Sequence, residues 1–542
     1  MARPRTKVFV SFVLVAWSSC GLSAQELGTS VTNSLRYGTG NELNLMGEQD
    51  KKYFENLTDV RFLYDHLTAG FRLEYSKPIE YGLPYQGLRK KYIEFQYEGL
   101  NARVGDLYAL FSHGLTLNLF ENRPLAYDTG LEGLRVQYKN DWFNILVVGG
   151  DLDYVEPLTV TWPSPRREAH SIRGGTTEVK VSKSVSIGGS LVWSKSTLPA
   201  PGQSAEEVHS WLPEAFLSVR TQTLDFYAAF CSKWTGVGEA EASRGSGTYL
   251  SASHSGDGYG ITFEYKDYGF DIVDPLQRSD AFRPTRMLAF QNPPIVHKEH
   301  SWTSLTRYPH IVDFNDEGGF QFDAFYALAP STTLSFNTAL SSRHYEYIFD
   351  RGNLTMLRLD QGKVFLPSSS QTRSPFWEAY VDVEYYFSAS DSYLKLAFDT
   401  RSETQYVVLD PGLSVRRRVV SFPIRLQYML SESWNIRFTL EQQWVLDTSY
   451  PTQERFYNQY IGLQFAAGQV FSAGLRVEAT SNKNEVGGRT SWILGEASYR
   501  LGSSNTLEVS YGAERGGQVC SNGICRWVSP FRGFRFSILS HF

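Results

Sequence analysis

The C-terminal half of the chain alternates apolar and polar residues. Trp434, Ile436, Phe438 and Leu440 take every second position, with Asn435, Arg437, Thr439 and Glu441 between them. Phe422, Ile424, Leu426 and Tyr428 alternate with Ser421, Arg425 and Gln427, and Trp377, Ala379, Val381, Val383 and Tyr385 alternate with Glu378, Asp382 and Glu384. Phe471, Ala473, Leu475 and Val477 do the same against Ser472, Arg476 and Glu478. A period of two is the mark of a strand, because successive side chains leave opposite faces. Many of these segments run to roughly 10–13 residues, longer than most soluble strands and suited to a tilted membrane crossing. Trp434 and Trp444 stand at the ends of an apolar face, where a membrane barrel carries its aromatic girdle. The last segment alternates Phe534, Phe536 and Ile538 with Arg535 and Ser537 and ends on Phe542. It has the form of the C-terminal signal by which the barrel-assembly machinery recognises its substrates.

The intervals between segments alternate too. Counting back from Phe542, residues 515–531 are a long connection, 501–503 a short one, 481–489 long, 466–468 short, 447–455 long and 430–432 short. The pattern continues through 403–415, 343–375 and the very long 268–318, then towards the N-terminus through 233–245, 196–212, 150–174, 109–131 and 77–90. Short periplasmic turns and long extracellular loops predict an all-β, up-and-down antiparallel transmembrane barrel of about 24 strands, within 22–26, with residues 30–38 as the first.

Composition agrees. Mean hydropathy is −0.30 and aromatics reach 15%, which suits strands that show lipid one face only. Arg3, Arg5 and Lys7 precede an apolar run from Val8 to Trp17, and Leu22-Ser23-Ala24 offers a cleavage site, so residues 1–24 read as a signal peptide and 25–542 as the barrel. Cys20 raises a lipoprotein alternative, but Trp17-Ser18-Ser19 is a poor lipidation box. Cleavage removes three of the 52 basic residues and none of the 57 acidic ones, taking the net charge from −5 to −8, which argues against a nucleic-acid partner. The expected location is the outer membrane of a Gram-negative bacterium, with its lipid as solvent. In an exported chain, Cys520 and Cys525 around a turn-rich stretch predict a local disulfide, leaving Cys231 alone.

The inferred inward face carries both signs of charge: Glu378, Asp382, Glu384, Lys395, Asp399, Arg401, Arg425, Arg437, Glu441, Arg476, Glu478, Glu496, Arg500 and Glu508. Most simply these line a wet lumen and pair across strands; they are also the residues that would select a passing small solute. A ring of this size is wide. With no separate plug domain before the first strand, the expectation is a broad pore or a lumen narrowed by folded-in loops, 268–318 and 343–375 being the candidates.

Two stretches carry residue types fit for chemistry. His297, Glu299, His300 and His310 lie in one loop, yet their spacing misses the helical HExxH pattern, and no metal or cofactor is expected. Ser112, His113 and Asp128 hold the components of a nucleophilic triad, but adjacent Ser and His side chains on a strand diverge. The preferred reading is a structured loop in the barrel mouth with Glu121, Arg123 and Asp128 as internal ion-pair partners, and no enzyme activity.

Three stretches in order, Gly105–Arg135, Asn292-Pro293-Pro294 to Arg307-Tyr308-Pro309-His310, and Gly516-Gly517-Gln518-Val519-Cys520 to Gly523-Ile524-Cys525-Arg526, together resemble a domain-of-unknown-function family of outer-membrane barrels. The resemblance implies a barrel and a location, and brings no activity or catalytic residue. The leading expectation is a passive or loop-gated channel for small solutes. The alternative is a structural or interaction barrel, for surface adhesion or as part of a secretion or envelope assembly.

Overall fold

The computed structural model describes residues 27–44, 47–156, 166–198, 206–237, 243–270, 288–352, 355–359, 363–387, 392–408, 410–450 and 452–542. The expected signal peptide lies outside them. Alternation does what it predicts: strands pair antiparallel with their neighbours in sequence and form one 24-stranded sheet. The first strand, Gly28–Asn44, pairs with the last, Phe531–His541, from Thr32↔His541 to Glu42↔Phe531, and so closes the barrel. Regular helix is confined to five 3-10 turns of three residues each among the described residues.

Both ends of the described chain lie on one side of the ring, here called the terminal side. Connections there shrink to two residues at 65–66, 98–99, 257–258 and 330–331, while the far side carries the long ones. The first hairpin departs from this rule. Its first strand runs on past the expected 30–38 to Asn44, and Gly47–Tyr64 follows after two residues on the far side. The extension hides in the sequence because it is polar on both faces; Lys51 and Glu42 pair across it at 2.8 Å.

Outward side chains make an apolar belt. Leu191, Trp211, Phe336, Leu396, Phe438 and Leu475 are all more than a third exposed. In water such a surface would cost about 25 cal/mol per Å2; against hydrocarbon it is the side that stabilises the fold. The compact core lies inside the ring. Leu107, Phe111, Leu115, Leu117, Phe290, Tyr268 and Phe270 belong to one buried cluster, which two chain segments form by leaving the wall.

Candidate functional site: the segments inside the barrel

The first inserted segment follows strand Leu100–Leu107 and rejoins the wall at Leu131–Lys139. Leu107, Phe111, Leu115, Leu117 and Leu131 are fully buried, so the segment is anchored by apolar side chains at both roots and along its length. Gly114 sits at φ +89°, and a Cβ there would come within 2.6 Å of the Asn292 carbonyl oxygen, so the turn needs glycine. The three polar residues expected in this mouth loop all pair with the wall. Glu121 meets Arg72 at 2.9 Å, Arg123 meets Glu55 at 3.0 Å, and Asp128 meets Lys90 at 2.6 Å. Burial opposes ionisation of Asp128, but Lys90 outweighs it and holds the carboxyl below its usual range. The triad components separate: His113 lies against Tyr227, ring centroids 3.8 Å apart, while Asp128 is held by Lys90.

The second segment, residues 288–316, runs beside the first. The Asn118 amide donates to the Phe290 carbonyl at 2.8 Å, the Gln291 side chain to the Leu115 carbonyl at 2.7 Å, and the Tyr127 hydroxyl to the Ala289 carbonyl at 2.6 Å. Together the segments pack on an apolar stretch of wall that includes Val148, Leu152, Ile172, Val192, Leu212 and Tyr249.

Further along, the second segment meets a wall of different character. The Thr303 and Ser304 amides donate to Glu441 at 3.1 and 2.6 Å. Arg401 donates to the carbonyls of Leu305 and Tyr308 at 3.0 and 3.1 Å. His300 meets Glu378 at 2.8 Å, the Trp302 indole donates to Tyr380 at 3.0 Å, and Arg307 pairs with Glu478. Arg425 lies over the Trp302 ring, 4.4 Å from its centroid.

A third element lies on these two. Cys520 and Cys525 form the expected disulfide in a hairpin of Gly517–Ser521 and Ile524–Val528. Asn292 donates to the Asn522 carbonyl at 3.0 Å, the Asn522 amide to Glu299 at 2.6 Å, and Arg307 to the Gly516 carbonyl at 2.7 Å. Ile524 packs against the buried cluster. The three stretches that carry the family resemblance are therefore in mutual contact.

These contacts cross the lumen. The first segment reaches the eighth strand, Arg166–Lys180, where Phe111 faces Gly174; the second reaches the nineteenth, Trp434–Asp447, through Glu441. In a ring of 24 these strands are eleven apart one way and thirteen the other, so the chain spans nearly a full diameter.

The uniformly wet lumen therefore needs correction. Glu378, Asp399, Arg401 and Glu441 are no more than 7% exposed, and Glu378, Arg401 and Glu441 bind the second segment directly. The wet reading fits residues nearer the terminal side. Lys395 pairs with Glu384 at 3.4 Å and with Asp382, itself buried, at 3.2 Å; Arg437 donates to Gln427 at 2.7 Å, Arg500 to Gln469 at 3.4 Å, and Glu508 accepts from Ser537 at 3.1 Å. Arg476 pairs with Glu496 at 3.3 Å and Glu514 at 3.2 Å. Loop 343–375 is a second correction. Its described residues, which leave out 353–354 and 360–362, fold against the outward face of the rim, where the Tyr265 hydroxyl donates to the Phe365 carbonyl at 2.8 Å.

The four loop residues that might have shared a metal do not converge. His297 and His310 are neighbours, with ring centroids 5.4 Å apart, but His300 lies with Glu378 and Glu299 with Asn522. His300, Glu378 and Asp399 bring ligating atoms within 4.8 Å of one another. Arg401, 2.9 Å from Glu378 and 3.3 Å from Asp399, already supplies positive charge there. His310 sits between Glu403 at 2.9 Å and Glu317 at 3.2 Å and stacks on Phe376. Burial disfavours its cation, but the two carboxylates outweigh burial and raise its pKa to about 9. Burial, followed by the His310 charge, lowers that of His297 to about 3; its Nδ1 is buried without a hydrogen-bond partner.

Sequence reading missed Trp302, Ser304, Glu55 and Glu74 as parts of this site. Glu55 and Glu74 face inward at alternate positions of their strands, which was a usable signal. Trp302 and Ser304 lie in irregular chain, where no period marks the facing side.

A closed antiparallel barrel with an apolar outer belt, a charged interior and long loops on one side is the architecture of an outer-membrane β-barrel. The chain belongs to a family of unknown function, DUF6029, whose sequence model matches residues 6–542. No curated protein matches it. Among solved structures it is similar to the siderophore receptor PirA from Pseudomonas aeruginosa, at 9% identity over 96% of this chain and 81% of that one, TM-score 0.46. It is similar also to the copper transporter OprC, at 12% identity over 95% and 80%, TM-score 0.47. The translocation pore of the P pilus usher PapC matches at 11% identity over 95% and 99%, TM-score 0.41.

Proposed function

We propose that this barrel is a loop-gated channel for small polar solutes, inserted in the outer membrane and described here with its gate across the lumen. The observation that carries the reading is the anchorage of residues 300–308 to the inward face through Glu441, Arg401 and Glu478. These bonds are polar and directional, and water can replace them when the segment swings away. The charged residues towards the terminal side then line the path that opens. Assembly through the final strand fits the same reading, because Phe531–His541 pairs on both sides, with Asn505–Glu514 and with Gly28–Asn44.

Single-channel recording from the folded protein in a planar bilayer tests this. The native chain is expected to stay mostly closed, and Glu441→Ala to raise the open fraction by about tenfold or more, since it removes two hydrogen bonds to a charged group, each worth about 1.5 kcal/mol or more. Silence from the native chain, from Glu441→Ala and from a chain lacking 288–316, all shown to be folded, would reject a channel.

One observation favours the second reading, an interaction barrel. Ile348, Leu357, Phe365 and Leu366 of the outer loop are 46–66% exposed. Stoichiometric co-purification of a partner that is lost when Phe365 and Leu366 become Ser would support it.

A further inference from the structure

The wall of the barrel is split on one side. The fourth strand, Tyr85–Tyr97, pairs with the fifth, Leu100–Leu107, only from Tyr97↔Leu100 to Tyr92↔Gly105. Beyond that point residues 85–89 continue to pair with the third strand, Leu67–Ser76, while Asp106 and Leu107 continue to pair with the sixth, Leu131–Lys139. Strands four and five thus diverge. The six paired residues rise ~17 Å along the strand at ~3.3 Å each, or ~13 Å of a belt ~25 Å tall at the tilt of such barrels. The split therefore opens about halfway up the belt and runs to the far rim. At its apex Gly105 has φ +107°, and a Cβ would lie 2.2 Å from the Lys91 carbonyl oxygen. Just above, Asp106 accepts from the Lys91 amide at 2.7 Å, so a side chain takes over where the ladder ends.

A cavity of about 1540 Å3 occupies this region and is lined from both faces of the wall. From the lumen come Arg36, Glu55, Glu74, Arg89 and Arg123, and from the outward face Phe62, Phe71, Leu88, Ile93 and Val104. Intact sheet separates its two faces completely. One cavity reaching charged lumen residues and lipid-facing residues alike requires the gap that the pairing records.

We infer that the split is a lateral portal that binds an amphiphile, its hydrocarbon chain along Leu88, Ile93 and Val104 and an anionic head group at Arg89. The sign follows from what is already paired. Glu55 and Glu74 are 2% and 4% exposed, and Arg123 contacts both, at 3.0 and 3.5 Å. Arg36 is already paired with the buried Glu80, whereas the Arg89 side chain is 36% exposed. The contacts of Arg89 to Glu74 and Asp128, at 3.5 and 3.4 Å, are long for charge-assisted bonds. The charge open to a ligand on the lumen side is therefore positive. Glu132, Asp151 and Asp153, which also border the cavity, stand on the outward face of their strands.

The full-length protein in phosphatidylcholine vesicles, photolabelled with a palmitic acid that carries its diazirine beside the carboxyl group or with the matching alcohol, tests the inference. The acid is expected to label lumen-facing residues around Arg89 and Arg123, and the alcohol only the outward belt. Arg89→Gln should lower lumen labelling by the acid about tenfold, the worth of one hydrogen bond to a charged group, and Arg89→Lys should restore most of it. Equal lumen labelling by acid and alcohol, labelling confined to the belt, or a loss in Arg89→Gln that lysine does not repair would each overturn it. Conductance is read on the same variants. An unchanged gate with lost labelling separates this portal from the channel.

Discussion

The inserted chain touches two walls that differ in kind. On the side of strands seven to thirteen it packs mainly on apolar residues, Val148, Ile172, Leu212 and Tyr268, with one buried polar contact where Thr116 donates to Glu214 at 3.2 Å. On the side of strands sixteen to twenty-one it is held by Glu378, Arg401, Glu441 and Glu478. Apolar contact is non-directional and barely responds to pH or salt, whereas a buried carboxylate bound to backbone amides depends on its protonation and its geometry. Under the gating proposed above, the apolar side would be the fixed root of the gate and the polar side its latch.

The largest expected effect strikes the root. Phe290 is fully buried in the cluster, and Phe290→Ala should cost about 3–5 kcal/mol of its packing. Hydrogen exchange should accelerate over residues 288–296 and also over 108–119, because the two segments share that cluster. Acceleration of 300–308 alone would invert the assignment of root and latch.

A smaller effect is expected at the latch. Glu441→Ala leaves the Thr303 and Ser304 amides without an acceptor, a cost of about 1–3 kcal/mol for a buried donor. Exchange at those two amides should quicken while 108–119 stays protected. If both sides loosen together, the two walls act as one unit and the comparison fails.

The mildest test is pH. His310 is faced by Glu317, Glu403 and His297, with Lys266 bound to Glu317 and Arg417 beside Glu403. Its raised pKa contributes stability that is fully present below the unfolded value near 6.5 and is lost as pH rises through about 9. His297 has the opposite sign: its contribution is present above about 6.5 and is lost as pH falls towards 3. Exchange over 297–310, corrected for its chemical pH dependence, should therefore be slowest near pH 6.5, quicken as pH rises from there to about 9 and level off above it, and His310→Gln should flatten that alkaline limb. Exchange over 108–119, corrected in the same way, should not follow that alkaline limb.

The strands were legible because alternation is a local property. Trp377, Val381 and Tyr385 declare one face without reference to any distant residue, and the long and short connections then gave the direction of the chain. The disulfide was legible because its partners are five residues apart in sequence. The site was only partly legible. Glu121, Arg123 and Asp128 were marked as internal ion-pair partners, but their partners Arg72, Glu55 and Lys90 were not, since nothing periodic links a loop to a strand 38 to 68 residues away. Glu378 and Glu441 were placed on the inward face correctly and given the wrong surroundings, because the face of a residue does not reveal what occupies the space before it.

The sequence by itself determined the closed barrel, the strand directions and the sign of each face, because each rests on spacing within a few residues and on the preference of apolar side chains for hydrocarbon. Only the tertiary structure decided that residues 288–316 enter the lumen while loop 343–375 lies against the outer rim, and that the wall parts beyond Tyr92 and Gly105. Those outcomes depend on contacts between residues distant in the chain. Each is selected by the packing and charge of a completed ring, which exists only after the strands have closed it.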